Sequence, residues 1–384
     1  MELEKLFFEL TRVAIGTQDH LTRLPSEAEW EDLYDIAVKQ SLVGICFCGL
    51  QNLGADADEG FTRIGMSEEL YLNWMGLAAQ INMTNETVNQ QCVALQKRLS
   101  SMGYRSCILK GQANLPNYNI VLSGESGAEE SDALNDLAMM RQSGDIDIWV
   151  EGGRKKVVDL VNSICPTKEI RETHAQLCIF DETAVEVHYR PGLIRDFRRN
   201  RRLQAFFRKN ADECFTNRVK LPCGEIVAPT VAFNAVQQLL HIYHHLFDSG
   251  IGLRQVMDYY FVLMHLKAGE KDGVMKVLKS VGVERFARAL MYVERVVFGM
   301  EDGYMLCEPS EKDGEYLLGE ILESGNFGHY DKRKKRHKKH SFLRNFFGVW
   351  SKNFRHSRFA PMDWFWSPLW RLYYFFWRKW NGYE

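Results

Sequence analysis

No pair among the nine cysteines has the Cys-x-x-Cys spacing of zinc ribbons and redox motifs, and the closest pair, Cys46 and Cys48, is separated by one residue. That scatter argues against a thiolate metal site and reads as reduced thiols of a cytoplasmic protein. No run of about 18 uncharged apolar residues occurs, so no transmembrane helix is expected. The opening Met-Glu-Leu-Glu-Lys-Leu-Phe-Phe is acidic and amphipathic, unlike a signal peptide. No internal repeat is visible. What is present is a chain of 384 residues that is 46% hydrophobic and 12% aromatic. That supports a sizeable core and excludes global disorder. The length suits two packed units, or one core with helical additions. The net charge of -2 conceals an uneven distribution. From Asp331 onward Lys and Arg outnumber Asp and Glu by fourteen to three, whereas residues 124–136 are acidic. Such asymmetry implies separate surfaces with separate partners.

Residues 1–102 read as a helical region. The stretch 68–102 lacks proline and repeats its apolar residues at helical spacing, and Gly103 ends it by tolerating positive φ. The pattern then changes. Residues 106–109 suit a buried strand, Lys110-Gly111 follows, and 114–118, with Pro116, reads as loop. The acidic stretch 124–136 reads as an exposed insertion. Residues 145–150 alternate as a strand, 154–164 fit a helix, and 177–180 with 184–189 form a predicted hairpin around 181–183. From Pro229 the chain is helical again, over 230–247 and 253–267. The division expected is a helical region (1–102), a core with a small mixed sheet (103–225), a helical domain (226–330) and a basic aromatic segment (331–384), an α+β arrangement.

Asp145 and Asp147 stand two apart on the predicted strand, so both side chains leave one face. Two adjacent carboxylates are costly to bury without a cation. Oxygen ligands suit Mg2+ or Mn2+. Glu186, in Val185-Glu186-Val187-His188, alternates in the same way. If its strand lies beside the first, it completes a three-carboxylate cluster able to hold metal for in-line phosphoryl chemistry. The plainer reading makes these acids exposed positions of amphipathic strands; the poor fit of Asp at strand centres argues against it. Just upstream, Arg141, Ser143 and Gly144 offer a guanidinium, a hydroxyl and a yielding backbone. Lys110 and Gly111 offer a point charge and a backbone that phosphate can approach. The alternative for Lys110 and Arg141 is ordinary surface charge.

Together, Leu109-Lys110-Gly111, Arg141-x-x-Gly144-Asp145-Ile146-Asp147-Ile148 and Val185-Glu186-Val187-His188 resemble the uncharacterised nucleotidyltransferase family of the polymerase-β-like superfamily. The resemblance runs loosely from the helix before Gly103 to the helix around Asp258. It implies a small mixed sheet flanked by helices, and magnesium-dependent transfer of a nucleoside monophosphate from an NTP. It implies Asp145 and Asp147 as metal ligands, Glu186 as the third acid, and Lys110, Gly111, Ser143 and Gly144 near the triphosphate. Two departures stand out. Lys110-Gly111 replaces the usual Gly-Gly or Gly-Ser, and the gap to Asp145 is long and contains the acidic stretch.

Other residues carry open alternatives. His188 faces the same way as Glu186 and either contacts phosphate, orients an acceptor, or is a hydrogen-bonded histidine at a strand end. His241, His244 and His245 share one helical face; zinc would need further ligands, and a face packed on the core is the better reading. Arg254 and Asp258 either pair with each other, or Arg254 reaches the nucleotide. The run from Arg195 to Arg202 either guides a polyanionic acceptor or is a solvated helical face, the commoner case. In the tail, 332–340 is basic and 342–380 mixes aromatics with Lys and Arg, Phe342, Phe346, Phe347, Trp350 and Phe354 recurring at helical spacing. Docking on the body comes first among its readings, then an anionic membrane surface, then nucleic acid. The functional expectation is an enzyme acting on an NTP and an unknown small-molecule or protein acceptor. A catalytically silent nucleotide-binding scaffold or peripheral membrane protein is the alternative, and the intact acid triad weighs against it. A nucleic-acid-modifying enzyme ranks third, because no RNA-binding module is recognisable.

Overall fold

The computed structural model describes residues 2–55, 60–119, 136–330, 350, 354–359 and 361–383. The acidic stretch, apart from its last residue, and the segment 332–347 lie outside the described residues.

The fold is α+β. Five helices come first: α1 (Glu2–Ile15), α2 (Glu27–Gln40), α3 (Val43–Asn52), α4 (Gly60–Arg63) and α5 (Glu68–Ser101). Their starts are written locally. Ser26 and Glu29 form a reciprocal capping box on α2, and the Ser67 hydroxyl accepts from Leu70 N on α5. Gly103, at φ +80°, turns the chain out of α5.

Four strands follow: β1 (Ser106–Ile108), β2 (Ile146–Val150), β3 (His174–Leu177) and β4 (Val185–His188), in the order β1-β2-β4-β3. β1 is antiparallel to β2, β2 parallel to β4, and β3 antiparallel to β4. Two sequence expectations shift here. Residues 111–118 form a 3-10 helix rather than a loop, since the fixed φ of Pro116 suits such a turn. The first hairpin strand begins at His174, not 177. Ala175 and Leu177 are its inward residues, while Ile179 and Phe180 belong to the connection.

Helix α6 (Asp136–Met139) precedes β2, and α7 (Gly153–Ile164) packs on β3 and β4. Then come α8 (Phe197–Lys209), α9 (Ala211–Cys214) and a hairpin of β5 (Arg218–Leu221) and β6 (Gly224–Val227). The helical remainder is α10 (Val231–Asp248), α11 (Leu253–Met264), α12 (Ala268–Val281), α13 (Glu284–Phe298), α14 (Glu311–Ser324) and a last helix, α15 (Pro361–Asn381).

Two polar features inside the core matter for the site. Asn85 of α5 donates to Met139 O and Arg141 O at 2.7 and 2.6 Å, and Gln112 donates to Asn85 and Asn89. These buried amides fix the segment before β2 and the turn after Lys110 to one rigid helix. α15 is pinned by the buried Asp363, which accepts from Arg195 N, Asp196 N and Tyr243 OH. Trp370 Nε1 adds a bond to Glu172 at 2.7 Å. On the outer face of α15, Met362, Phe365, Leu369, Tyr373, Phe376 and Trp380 are exposed, Trp380 by 91%. Among the described residues no helix is long and apolar enough to cross a membrane.

Glu294 of α13 is fully buried, and neither carboxylate oxygen has a hydrogen-bond partner among the described residues. Burial raises its pKa well above the usual carboxylate value of 4.5, so it folds uncharged. The folded chain then holds a proton that the unfolded chain releases above its ordinary pKa, so this group costs stability as pH rises. Glu294→Gln is expected to raise stability at pH 7 by on the order of 2 kcal/mol. The gain should vanish near pH 4, where both states are protonated. Thermal unfolding at both pH values checks this; an equal gain at both would discard the linkage.

Candidate active site

Register brings the acids together. β2 and β4 run parallel with Asp147 opposite Glu186, and Ile146 N donates to Ala184 O at the strand start. Carboxylate oxygens of Asp145, Asp147 and Glu186 all lie within 4.8 Å of one another. The two aspartates differ more than alternation implies. Asp145 precedes β2 and is exposed, whereas Asp147 is 2% exposed.

Asp147 is bracketed by two cations. Lys110 Nζ stands 2.8 Å from one oxygen and His188 Nε2 2.7 Å from the other. Burial pulls the His188 imidazolium down, but hydrogen bonds to Asp147 and Glu186 outweigh it and raise its pKa to about 9. Lys110 is likewise raised: burial opposes its charge, and Asp147, Asp145 and Glu186 together overcome it. Burial also works against the Glu186 carboxylate. The His188 bond and the charges of His174, His188 and Lys110 nevertheless hold it down at about 2. His174, 3.2 Å from Glu186, is pushed to about 4 by burial and by the charge of His188.

These donors fit a hard divalent cation. The three acids supply oxygen only, the set that Mg2+ and Mn2+ prefer. A second group, His174, Glu186 and His188, also converges. His188 Nε2 is engaged there by Asp147 at 2.7 Å and stands 3.4 Å from Glu186.

A cavity of about 230 Å³ opens over the acids, lined by Lys110, Gly111, Gly144, Asp145, His241 and Arg254 among others. Gly111, at φ +60°, brings the backbone close to Asp145 without a side chain in the way. Gly144 leaves room for the Arg254 guanidinium, which donates to the carbonyls of Gln142 and Ser143. Burial, then the neighbouring charge of Arg141, lowers Arg254 to about 10. Ser143 is half-buried and takes part through its carbonyl.

Arg141 stands differently from a free phosphate donor. Its Nε and Nη2 both reach Asp258 at 2.6 Å, and Tyr118 OH donates to the same carboxylate. Asp258 is thus the bidentate ion-pair partner of Arg141. This buried pair ties the segment before β2 to α11. His241, His244 and His245 face the cavity. Lys110 Nζ lies 3.4 Å from His241, His244 pairs with Asp248, and His245 bonds Ser249. They form no metal-binding group among the described residues. The run 195–202 divides. Arg195 is buried against Asp248 at 2.6 Å, while Arg198, Arg201 and Arg202 line the outside of α8.

Several site residues escaped sequence reasoning: His174, Arg171, and Arg371, Tyr374 and Arg378 of α15. The signal for His174 was its alternation with Ala175 and Leu177, hidden when the strand was placed three residues late.

Residues 130–299 match the model of a family described as an uncharacterised nucleotidyltransferase. The match spans less than half of the chain and marks what this segment is similar to. The match takes in the acid-bearing strands and helices α10 to α13, while Lys110 and Gly111 lie upstream of it. No curated protein and no solved structure matches the chain. Nucleotidyl transfer is thus the general class of reaction that the family match supports.

Proposed function

We propose that this chain transfers a nucleoside monophosphate from an NTP to a separate acceptor, with Mg2+ or Mn2+ held by Asp145, Asp147 and Glu186. The observation that carries this reading is the Asp147–Glu186 pairing across parallel strands, with Asp145 completing the oxygen set beside Lys110 and Gly111. The ion, when bound, neutralises charge that develops on the phosphates. Lys110 and the backbone at Gly111 and Gly144 cradle the triphosphate, and Arg254 adds charge from α11. His188 sets the direction of the Asp147 carboxylate. In the transfer, an acceptor hydroxyl oxygen bonds to the α-phosphorus and loses its proton to water. The bond from that phosphorus to the α–β bridging oxygen breaks, and pyrophosphate departs with the electron pair.

Incubation with each labelled NTP and Mg2+, followed by mass spectrometry of the protein and of an added small-molecule extract, tests this reading. Metal-dependent release of pyrophosphate from at least one NTP is expected. Failure of every NTP to bind would refute it.

The outer face of α15 supports a membrane-surface location as well. Its exposed Phe, Tyr and Trp side chains lie in a segment rich in Lys and Arg. Sedimentation with anionic liposomes is expected to pull the protein down at low salt, and less at high salt. Equal binding to neutral liposomes would count against charge-led contact.

A further inference from the structure

Beside the acid cluster lies a second and larger space. A cavity of about 730 Å³ opens between α15 and the side of the sheet carrying Glu186. It shares Thr173, His174, Glu186 and His244 with the smaller cavity, so the two meet at Glu186. Five cationic side chains line it, Arg171, Arg195, Arg371, Arg378 and Lys379, against three acids, Glu172, Glu186 and Asp248. All three acids are already engaged, Glu186 by His174 and His188. Asp248 pairs with Arg195 and His244, and Glu172 accepts from Trp370.

The guanidinium groups are only partly satisfied. Arg195 Nε, Arg371 Nη1 and Arg378 Nε are buried with no hydrogen-bond partner among the described residues. A buried donor without an acceptor is costly, and the five cationic side chains facing three acids on the cavity wall favour an anion as its occupant. The charge is also costly to assemble: Arg371 is lowered first by burial and then by the charge of Arg195. A tetrahedral dianion with several acceptor oxygens suits such a group better than a single carboxylate. Tyr374, Phe375 and Tyr383 supply apolar wall for the remainder of a ligand.

Position decides which ligand. In-line displacement places the entering oxygen opposite the departing pyrophosphate. Lys110, Gly111, Gly144 and Arg254 stand in the smaller cavity, whose proposed occupant is the triphosphate. The entering group then arrives from the opposite side, across Glu186. We propose that the larger cavity is the acceptor site, and that the acceptor is a phosphorylated small molecule whose phosphate is gripped by Arg371, Arg378 and Arg195 while its hydroxyl reaches the acid cluster. This rests on the nucleotidyl-transfer reading for the role of the ligand, but not for the presence of an anion site.

The test uses the full chain, with inorganic phosphate as the probe. Calorimetric titration first measures binding of each α,β-methylene NTP with Mg2+, which tests the transfer reading by itself. Phosphate is then titrated into protein with and without the saturating analogue. Phosphate is expected to bind in both cases. The double variant Arg371→Gln, Arg378→Gln is expected to weaken phosphate binding at least tenfold while leaving analogue binding within twofold. Lys379→Glu, at an exposed position of the same wall, guards against a misfolded double variant and is expected to weaken phosphate several-fold. Competition between phosphate and the analogue would overturn the proposal, making the cavity part of the nucleotide site. So would equal phosphate binding by wild type and Lys379→Glu, or no phosphate binding by wild type. Absence of analogue binding alone would sink the transfer reading and leave the anion site standing.

Discussion

Asp145→Asn and Asp147→Asn are expected to lose nucleotidyl transfer to a similar extent, about 10²–10³-fold or more, and to differ sharply in stability. Both remove a charge from the proposed cation site, and a carboxamide is a poor substitute ligand for a hard ion. Read from strand alternation, the two acids serve the cation and not the core. The structure separates them. Asp145 is exposed, so its replacement should cost less than about 0.5 kcal/mol. Asp147 is the shared partner of Lys110 and His188, both raised in pKa within a buried site. Taking it away deprives two buried cations of their nearest counter-charge and leaves Glu186 to serve both, a loss of about 3 kcal/mol. Turnover of the reactive NTP, calorimetric Mg2+ binding and thermal unfolding should be measured on both variants. Full activity in either would remove that acid from the site. Equal unfolding temperatures would mean that the Lys110–Asp147–His188 arrangement contributes nothing to folding.

The second large effect is expected from Asp363→Ala. This carboxylate is the acceptor for Arg195 N, Asp196 N and Tyr243 OH. Truncation strands three buried donors at once and should cost about 3 kcal/mol or more. Because α15 is otherwise held largely through Trp370 and Tyr374, its release should be local. Limited proteolysis is expected to cut within 361–383 much faster in the variant, while the remainder of the chain stays resistant. An unchanged cleavage pattern would show that the aromatic contacts alone hold the helix. Transfer should fall too, since α15 walls the larger cavity. The sequence reading put docking on the body first for the tail; under the proposed acceptor site, Arg371 and Arg378 on the cavity wall tie that docking to chemistry.

The contrast shows what a sequence carries. Asp145, Asp147 and Glu186 were legible because strand alternation is a local signal: a charged residue between Ile146 and Ile148, or between Val185 and Val187, is anomalous wherever the strand ends up. Long helices were legible for the same reason, as with α5 and the glycine after it. Partners across the fold were not. Arg141 and Asp258 are 117 residues apart, and nothing near either one names the other. Asn85 and Asn89 were visible as amides in a long helix, but only packing reveals that they face inward and hold the segment before β2. The basic tail was legible in composition alone. Charge and aromatic content report that a surface wants cover, and not which surface provides it.

The anchoring of α15 also orders the events of folding. Asp363 meets Arg195 across 168 residues of chain, whereas helices such as α5 and the β3–β4 hairpin close over short spans. Loop closure costs entropy that only later contacts recover, so long-range partners assemble after local ones. The sheet bearing the acids is therefore expected to form before the helix that walls its neighbouring cavity. Five of the nine tryptophans lie in that helix, so refolding followed by tryptophan emission should lag behind refolding followed by backbone circular dichroism, and the lag is the time the site spends open on one side.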